Sequence, residues 1–324
     1  MFTASQILDR INNYILEQQT ARTPQGLYAP MEYVLSLGGK RIRPVLMLMA
    51  YNLYKEDLSS IYSVASGIEI YHNHTLLHDD LMDRSEIRRG KPTVHKVWND
   101  NTAILSGDAM LILAFNRMAS CEVKYLNDIM SVFSQTALEI CEGQQFDMEF
   151  ELRDDVTESE YLEMIRLKTA VLLATSLKVG AILADAPVAD ADNLYDFGMQ
   201  MGIAFQLQDD LLDVYGEPET FGKKIGGDIL CNKKTYMLIK ALEGVKGQLK
   251  ETLSYWLKVQ DFKPLEKISA VTEVYNELNI KKACEEKIAE YYALAMMKLD
   301  AVNVTDDKKV ELKKIVQTLT SRVI

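Results

Sequence analysis

Two short acidic motifs, Asp79-Asp80-Leu81-Met82-Asp83 and Asp209-Asp210-Leu211-Leu212-Asp213, lie far apart in stretches that are otherwise apolar. A helix turns about 100° per residue, so steps of seven and eleven return to nearly the same face and align His72, Asp79 and Asp83. Carboxylates this close repel one another, and those taken out of water need cations or hydrogen bonds. A solvated acidic face is the ordinary fate of three acids on a helix. The flanking Leu76, Leu77, Leu81 and Met82 argue instead for a largely buried helix. Two such clusters point to one shared ion site, with a divalent metal as its natural occupant. The fold must therefore bring two distant helices to one interior.

The rest of the composition suits that requirement. Only 7 prolines and 16 glycines punctuate 324 residues, which favours long helices over a turn-rich all-β fold. The hydrophobic share of 48 % is that of a globular protein with a sizeable core. A net charge of −11 argues against a general nucleic-acid surface, although a local basic pocket can still take an anion. Cys121, Cys141, Cys231 and Cys284 have no CxxC spacing, which suits a reduced compartment. No stretch approaches the length of a transmembrane span, and no export signal is legible. The chain is expected to be cytoplasmic.

In chain order, Thr3-x-x-Gln6 reads as a capping box opening a first amphipathic helix. A short helix over 31–37 should stop at Gly38-Gly39, and Pro44 should occupy the first position of the next helix. Between them, Lys40 and Arg43 offer a point charge and a planar fork suited to phosphate oxygens, with paired glycines allowing close backbone approach. Arg88 and Arg89 lie in a basic loop closed by Gly90 and Pro92, where guanidinium forks could face a metal-bound diphosphate. Helices are expected over 101–118, 132–148 and from about Asn193. Thr157-x-x-Glu160 is a second capping box, ahead of Lys168-Thr169 in an apolar run. The Gly- and Lys-rich segment with Gly222, Lys223, Lys224, Gly226, Gly227 and Lys233 suggests a closing lid. With no repeat and no linker, the expectation is one all-α domain over 1–324.

These motifs resemble the trans-type polyprenyl diphosphate synthases. GGKRIRP, HNHTLLHDDLMD followed by RRG, GQQFD, KT, FQLQDDLLD and GKKIGGD all occur in that family's order, and the likeness spans Gly38 to Thr235. The resemblance implies an all-helical bundle around a deep cavity, generally homodimeric. It implies Mg²⁺ on Asp79, Asp83 and Asp209, three ions when diphosphate is bound, with Asp80, Asp210, Asp213 and Gln144 in support. Arg88, Lys168, Thr169, Gln206, Lys223 and Lys233 would hold an allylic diphosphate, and Lys40, Arg43, His72 and Arg89 isopentenyl diphosphate. Asp79, Asp80, Asp83, Arg88, Lys168, Asp209, Asp210 and Lys223 would then be the catalytic set. Two departures stand out. Asn232 precedes Lys233 where the family commonly has glycine, and the first motif lacks the two-residue insertion of the usual bacterial farnesyl synthases.

In the family, the residues four and five before the first motif help set product length. Here these are Thr75 and His74, and their size suggests farnesyl or geranylgeranyl diphosphate. His74 reads equally as a satisfied interhelical histidine. A non-catalytic regulatory subunit would be expected to carry damaged motifs. A class I terpene cyclase would carry an Asn/Ser/Glu-type second motif and no GGKRIRP. Neither pattern is present.

Overall fold

The computed structural model describes residues 1–18, 22–216 and 225–320. Among them the chain is helical apart from one pair of two-residue strands. It forms two compact units: Met1–Gln135, Thr175–Tyr195 and Val302–Leu312 in the first, and Thr136–Ala174, Asp196–Ala301 and the chain from Lys313 on in the second.

In the first unit, α1 (Ala4–Glu17) begins at the expected box. Thr3 Oγ1 accepts from the Gln6 backbone at 3.3 Å, and Gln6 Oε1 accepts from the Thr3 backbone at 3.0 Å. Its Ile7, Ile11 and Ile15 are buried, as their helical spacing requires. Helix α2 is Gln25–Ser36, longer than expected and running through Pro30. It ends before Gly38 and Gly39, whose φ values are 71° and 129°. Helix α3 (Ile42–Asn52) starts earlier than expected, so Pro44 is third and not first. That position is still within the first turn, where the missing N–H would have had no helical acceptor. From Pro44 to Asn52 every residue is buried, the state of a helix that is apolar all round.

Helix α4 (Tyr62–Met82) carries the first acid motif at its C-terminal end and packs along α6 (Asp100–Met118) and against α3. It stops because Arg84 turns left-handed at φ 53° and the Ser85 N–H closes onto the Asp80 carbonyl at 2.9 Å. The loop expected next is a hairpin, β1 (Ile87–Arg88) against β2 (Lys91–Pro92), turned at Arg89 and Gly90 with both φ positive. One helical turn, α5 (Val94–Val97), leads to α6, whose start is capped by Asn99 Oδ1 accepting from Thr102 at 2.8 Å.

Helix α7 (Val123–Glu151) extends beyond the expected 132–148 at both ends. Helix α8 (Glu158–Ile165) opens on the second capping box, and one π-helical turn, Arg166–Ala170, joins it to α9 (Val171–Leu183). Helix α10 (Val188–Tyr215) begins directly after Pro187 and carries the second acid motif near its end. The short α11 (Gly227–Leu230) precedes α12 (Tyr236–Gly244), α13 (Gly247–Lys258), α14 (Pro264–Glu277), α15 (Ile280–Asp300) and α16 (Asp306–Thr320). Within the second unit α13 packs on α14, and α12 on α8 and α15. No described helix is long and apolar enough to cross a membrane.

Candidate active site

The first unit gathers the basic residues of three segments around the upper half of α4. Arg41, left-handed at φ 46° and 4 % exposed, is tied inward by an ion pair to Glu69 at 2.7 Å and by bonds to Asn12 Oδ1 and the Leu35 carbonyl. That anchor leaves its neighbours for other work. Lys40 is exposed, while Arg43 points to His72, its Nη1 donating to Nε2 at 3.1 Å. Burial, followed by the charges of Arg43, Arg89, Arg88 and Arg41, pushes His72 well below the ordinary histidine range. The ring is therefore neutral and can accept from Arg43, whose own pKa burial lowers to about 10. Arg89 donates to the Gly38 carbonyl, and its guanidinium lies so close over Gly39 that a Cβ there would stand 2.7 Å from it. The glycine pair therefore provides room for an arginine as well as a turn.

Below this cradle Arg88 folds back from the hairpin onto Asp80. Its Nη2 donates to Oδ1 at 2.6 Å, and its Nε lies 3.0 and 3.2 Å from the two carboxylate oxygens. Burial raises Asp80 despite that partner, and Asp79 adds to the rise. Asp79 and Asp83 sit one turn apart, Asp83 at the C-cap of α4 and exposed. The last turn of α4 contains no basic residue, so its negative dipole end lies beside three carboxylates. Hard oxygen donors of this kind suit a divalent cation such as Mg²⁺. Among the described residues, no three His, Cys, Asp or Glu side chains stand close enough to hold an ion by themselves.

His74 and Thr75 point elsewhere. The His74 Nδ1–H donates to the Gly107 carbonyl on α6 at 2.9 Å, and its ring packs edge-on to His78, 4.7 Å between centroids. Burial first, then His78, lowers its pKa to about 4. Tyr71 packs against both His74 and Phe133. Thr75 Oγ1 turns back onto its own helix, donating to the His72 carbonyl at 2.8 Å.

The second unit holds Lys168, Thr169, Gln206, Asp210, Asp213 and Lys233. Thr169 Oγ1 donates to Gln206 Oε1 at 3.1 Å, and Gln206 Nε2 donates to Asp210 Oδ1 at 2.8 Å. The buried Tyr161 hydroxyl donates to Asp210 Oδ2 at 2.5 Å. Burial, with the charge of Asp228 in addition, pushes Asp210 up to about 7. Asp213 accepts the Asp228 backbone N–H at 2.9 Å, and Lys233 Nζ stands 4.0 Å from the Asp228 carboxylate. Lys168 pairs with Asp147 at 2.6 Å. The π turn that carries Lys168 and Thr169 presses on α7 so closely that a Cβ on Gly143 would lie 2.4 Å from the Lys168 backbone nitrogen. Such single π turns are frequent where a helix must re-aim side chains. Lys223 lies outside the described residues.

Sequence reasoning missed the supporting partners: Glu69 for Arg41, Asp147 for Lys168 and Tyr161 for Asp210. Asp147 was in plain view within GQQFD, but its partner was not. Tyr161 was legible only as one apolar-periodic position, because periodicity reports burial and not where a hydroxyl ends.

An all-helical chain with paired aspartate motifs and basic cradles of this kind defines a class. The polyprenyl synthetase family matches residues 24–278. A geranylgeranyl diphosphate synthase of Methanosarcina mazei is 39 % identical over 289 residues, 83 % of this chain and 89 % of that protein. A geranylgeranyl pyrophosphate synthase of Geoglobus acetivorans is 43 % identical over 235 residues, 72 % of this chain and 73 % of that protein. A crystal structure of a geranylgeranyl pyrophosphate synthase superimposes with a TM-score of 0.95 at 40 % identity, over 100 % of both chains. The chain belongs to the polyprenyl synthetase family. It is an enzyme, a prenyltransferase.

Proposed function

We propose that the chain condenses isopentenyl diphosphate with an allylic diphosphate in a Mg²⁺-dependent trans elongation, giving farnesyl or geranylgeranyl diphosphate. The observation that carries this assignment is the first unit's arrangement of Arg43, Arg88 and Arg89 above the carboxylate end of α4. Guanidinium forks matched to phosphate oxygens stand there beside donors matched to a hard cation.

In the reaction, the allylic carbon–oxygen bond ionises and diphosphate leaves. The alkene of isopentenyl diphosphate then forms the new carbon–carbon bond, and a proton passes to the released diphosphate. Arg88, Lys168, Thr169, Gln206, Lys223 and Lys233 would hold the leaving group. Lys40, Arg43, His72 and Arg89 would hold isopentenyl diphosphate, with neutral His72 fixing the Arg43 fork. Mg²⁺, held through Asp79, Asp83 and Asp209 with Asp80, Asp210, Asp213 and Gln144 in support, would supply positive charge to the departing diphosphate, with three ions in the loaded state. No side-chain nucleophile is required. Exclusion of water protects the cation from quenching.

The names of the two relatives favour the geranylgeranyl product, and His74 with Thr75 would set its length. The protein is taken as one domain over 1–324, cytoplasmic, with free cysteines in keeping with a reducing compartment. A homodimer through α6 has support in Ile104, Leu105 and Ile112, which are 47 %, 60 % and 62 % exposed on one helix face. Purified protein with Mg²⁺, isopentenyl diphosphate and a series of allylic diphosphates, with products sized by chromatography, tests the assignment. Failure to elongate any primer overturns it. Sedimentation tests the dimer.

A further inference from the structure

Asn232, the residue that stands where the family commonly has glycine, has a left-handed backbone with φ 55°. Glycine takes that conformation freely, and asparagine is among the few other residues that tolerate it. Here the side chain is also held at both ends. Its Nδ2 donates to the Leu257 carbonyl at 3.0 Å, and its Oδ1 accepts from Lys267 Nζ at 2.7 Å.

Lys267 comes from α14 and is 1 % exposed. Its ammonium also donates to the carbonyl of Leu230, the last residue of α11, at 3.2 Å, and lies 4.5 Å from the centroid of the Phe262 ring. Burying an ammonium is costly unless its hydrogens are met. Two amide oxygens and an aromatic face meet this one. So enclosed, Lys267 acts on what it touches: the end of α11 and the side chain of Asn232. In the chain, Asp228 lies just before those two points and Lys233 just after them. The Lys233 backbone N–H donates to the Asp228 carbonyl at 2.9 Å, and Asp228, Asn232 and Lys233 line one small pocket with Leu257 and Tyr275.

We propose that Lys267 is a positioning residue for substrate binding: through Asn232 it fixes the left-handed turn that aims Lys233 at the allylic diphosphate. A side-chain latch thus supplies the geometry that glycine adopts without help. The proposal rests on the assignment of Lys233 as a diphosphate ligand made above.

The test is steady-state kinetics of the full chain with isopentenyl and geranyl diphosphates for Lys267→Met, Asn232→Gly, their combination, and Asn232→Ala. Wild-type elongation is the control, and its absence would count against the prenyltransferase assignment and not the latch. Lys267→Met is expected to raise KM for geranyl diphosphate about tenfold, roughly the loss of one charge-assisted hydrogen bond, with KM for isopentenyl diphosphate and kcat unchanged. Asn232→Gly should keep wild-type constants, and on that background Lys267→Met should have no further effect. Equal losses on both backgrounds, or a fall in kcat with both KM values unchanged, overturn the proposal, because a lysine that only supports the fold acts whatever residue occupies position 232. Should Lys267→Met not fold, Asn232→Ala decides. Alanine has neither the latch nor the tolerance of this φ, so a raised allylic KM upholds the proposal and a wild-type value overturns it.

Discussion

Asp80 and Asp210 occupy the same place in their motifs and are almost equally buried, 5 % and 4 % exposed, yet each is kept by a different means. Asp80 is gripped through both oxygens by the guanidinium of Arg88. Asp210 is held by two neutral donors, the Tyr161 hydroxyl and the Gln206 amide. A cation opposes the cost of ionising a buried carboxylate, whereas neutral donors oppose it less. Burial and the charge of Asp228, opposed by Lys233 and these two donors, put Asp210 at about 7. Repetition of a sequence pattern therefore does not mean repetition of an electrostatic state. The first motif has a fixed ion pair within it, and the second a carboxyl that neutral partners orient.

Several substitutions would break or sharpen that contrast. The outer aspartates should be alike where the middle ones differ: Asp79→Ala and Asp209→Ala should each lower kcat/KM by about a thousandfold or more if both serve the same ions. Elongation assays over a range of Mg²⁺ check this, and a loss confined to one motif would separate their roles. For the middle pair, Asp80→Asn strands the Arg88 charge and should cost roughly 3 kcal/mol of stability in denaturant titration. Asp210→Asn leaves a neutral group among neutral donors and should cost under about 1 kcal/mol. Equal costs would remove the distinction.

The basic cradle offers a smaller effect. A side chain at Gly39 would displace the Arg89 guanidinium and strain a backbone at φ 129°, so Gly39→Ala should raise KM for isopentenyl diphosphate about tenfold. KM for the allylic substrate should change less.

A further effect concerns pH. His74 titrates near 6.5 when unfolded and near 4 when folded, so between those values the unfolded chain binds more protons. Stability should therefore rise with pH across that window and fall as acid approaches pH 4, by on the order of 2 kcal/mol in all. His72 contributes in the same direction. Thermal unfolding at stepped pH should show a shallower dependence in His74→Gln.

The helical class was legible because Pro and Gly are scarce and apolar positions recur at helical spacing, as Ile7, Ile11 and Ile15 illustrate. Both capping boxes were legible because each uses partners three residues apart. The hairpin at Arg88 and Arg89 was not legible, since its two-residue strands carry no periodicity and its turn begins with an arginine where glycine or asparagine would have signalled it. The interhelical contact of His74 with the Gly107 carbonyl is not legible in the sequence, because the acceptor is a backbone group 33 residues away.

By itself, then, the sequence determined the all-α class, the two aspartate motifs and the cations that accompany them, because residue type and local spacing carry that information. Only the tertiary structure decided which partner each buried group received: Arg88 for Asp80, Tyr161 for Asp210, Glu69 for Arg41 and Lys267 for Asn232. Those partners come from other segments of the chain, and the cost of leaving a buried polar or charged group unpaired is settled only when those segments meet.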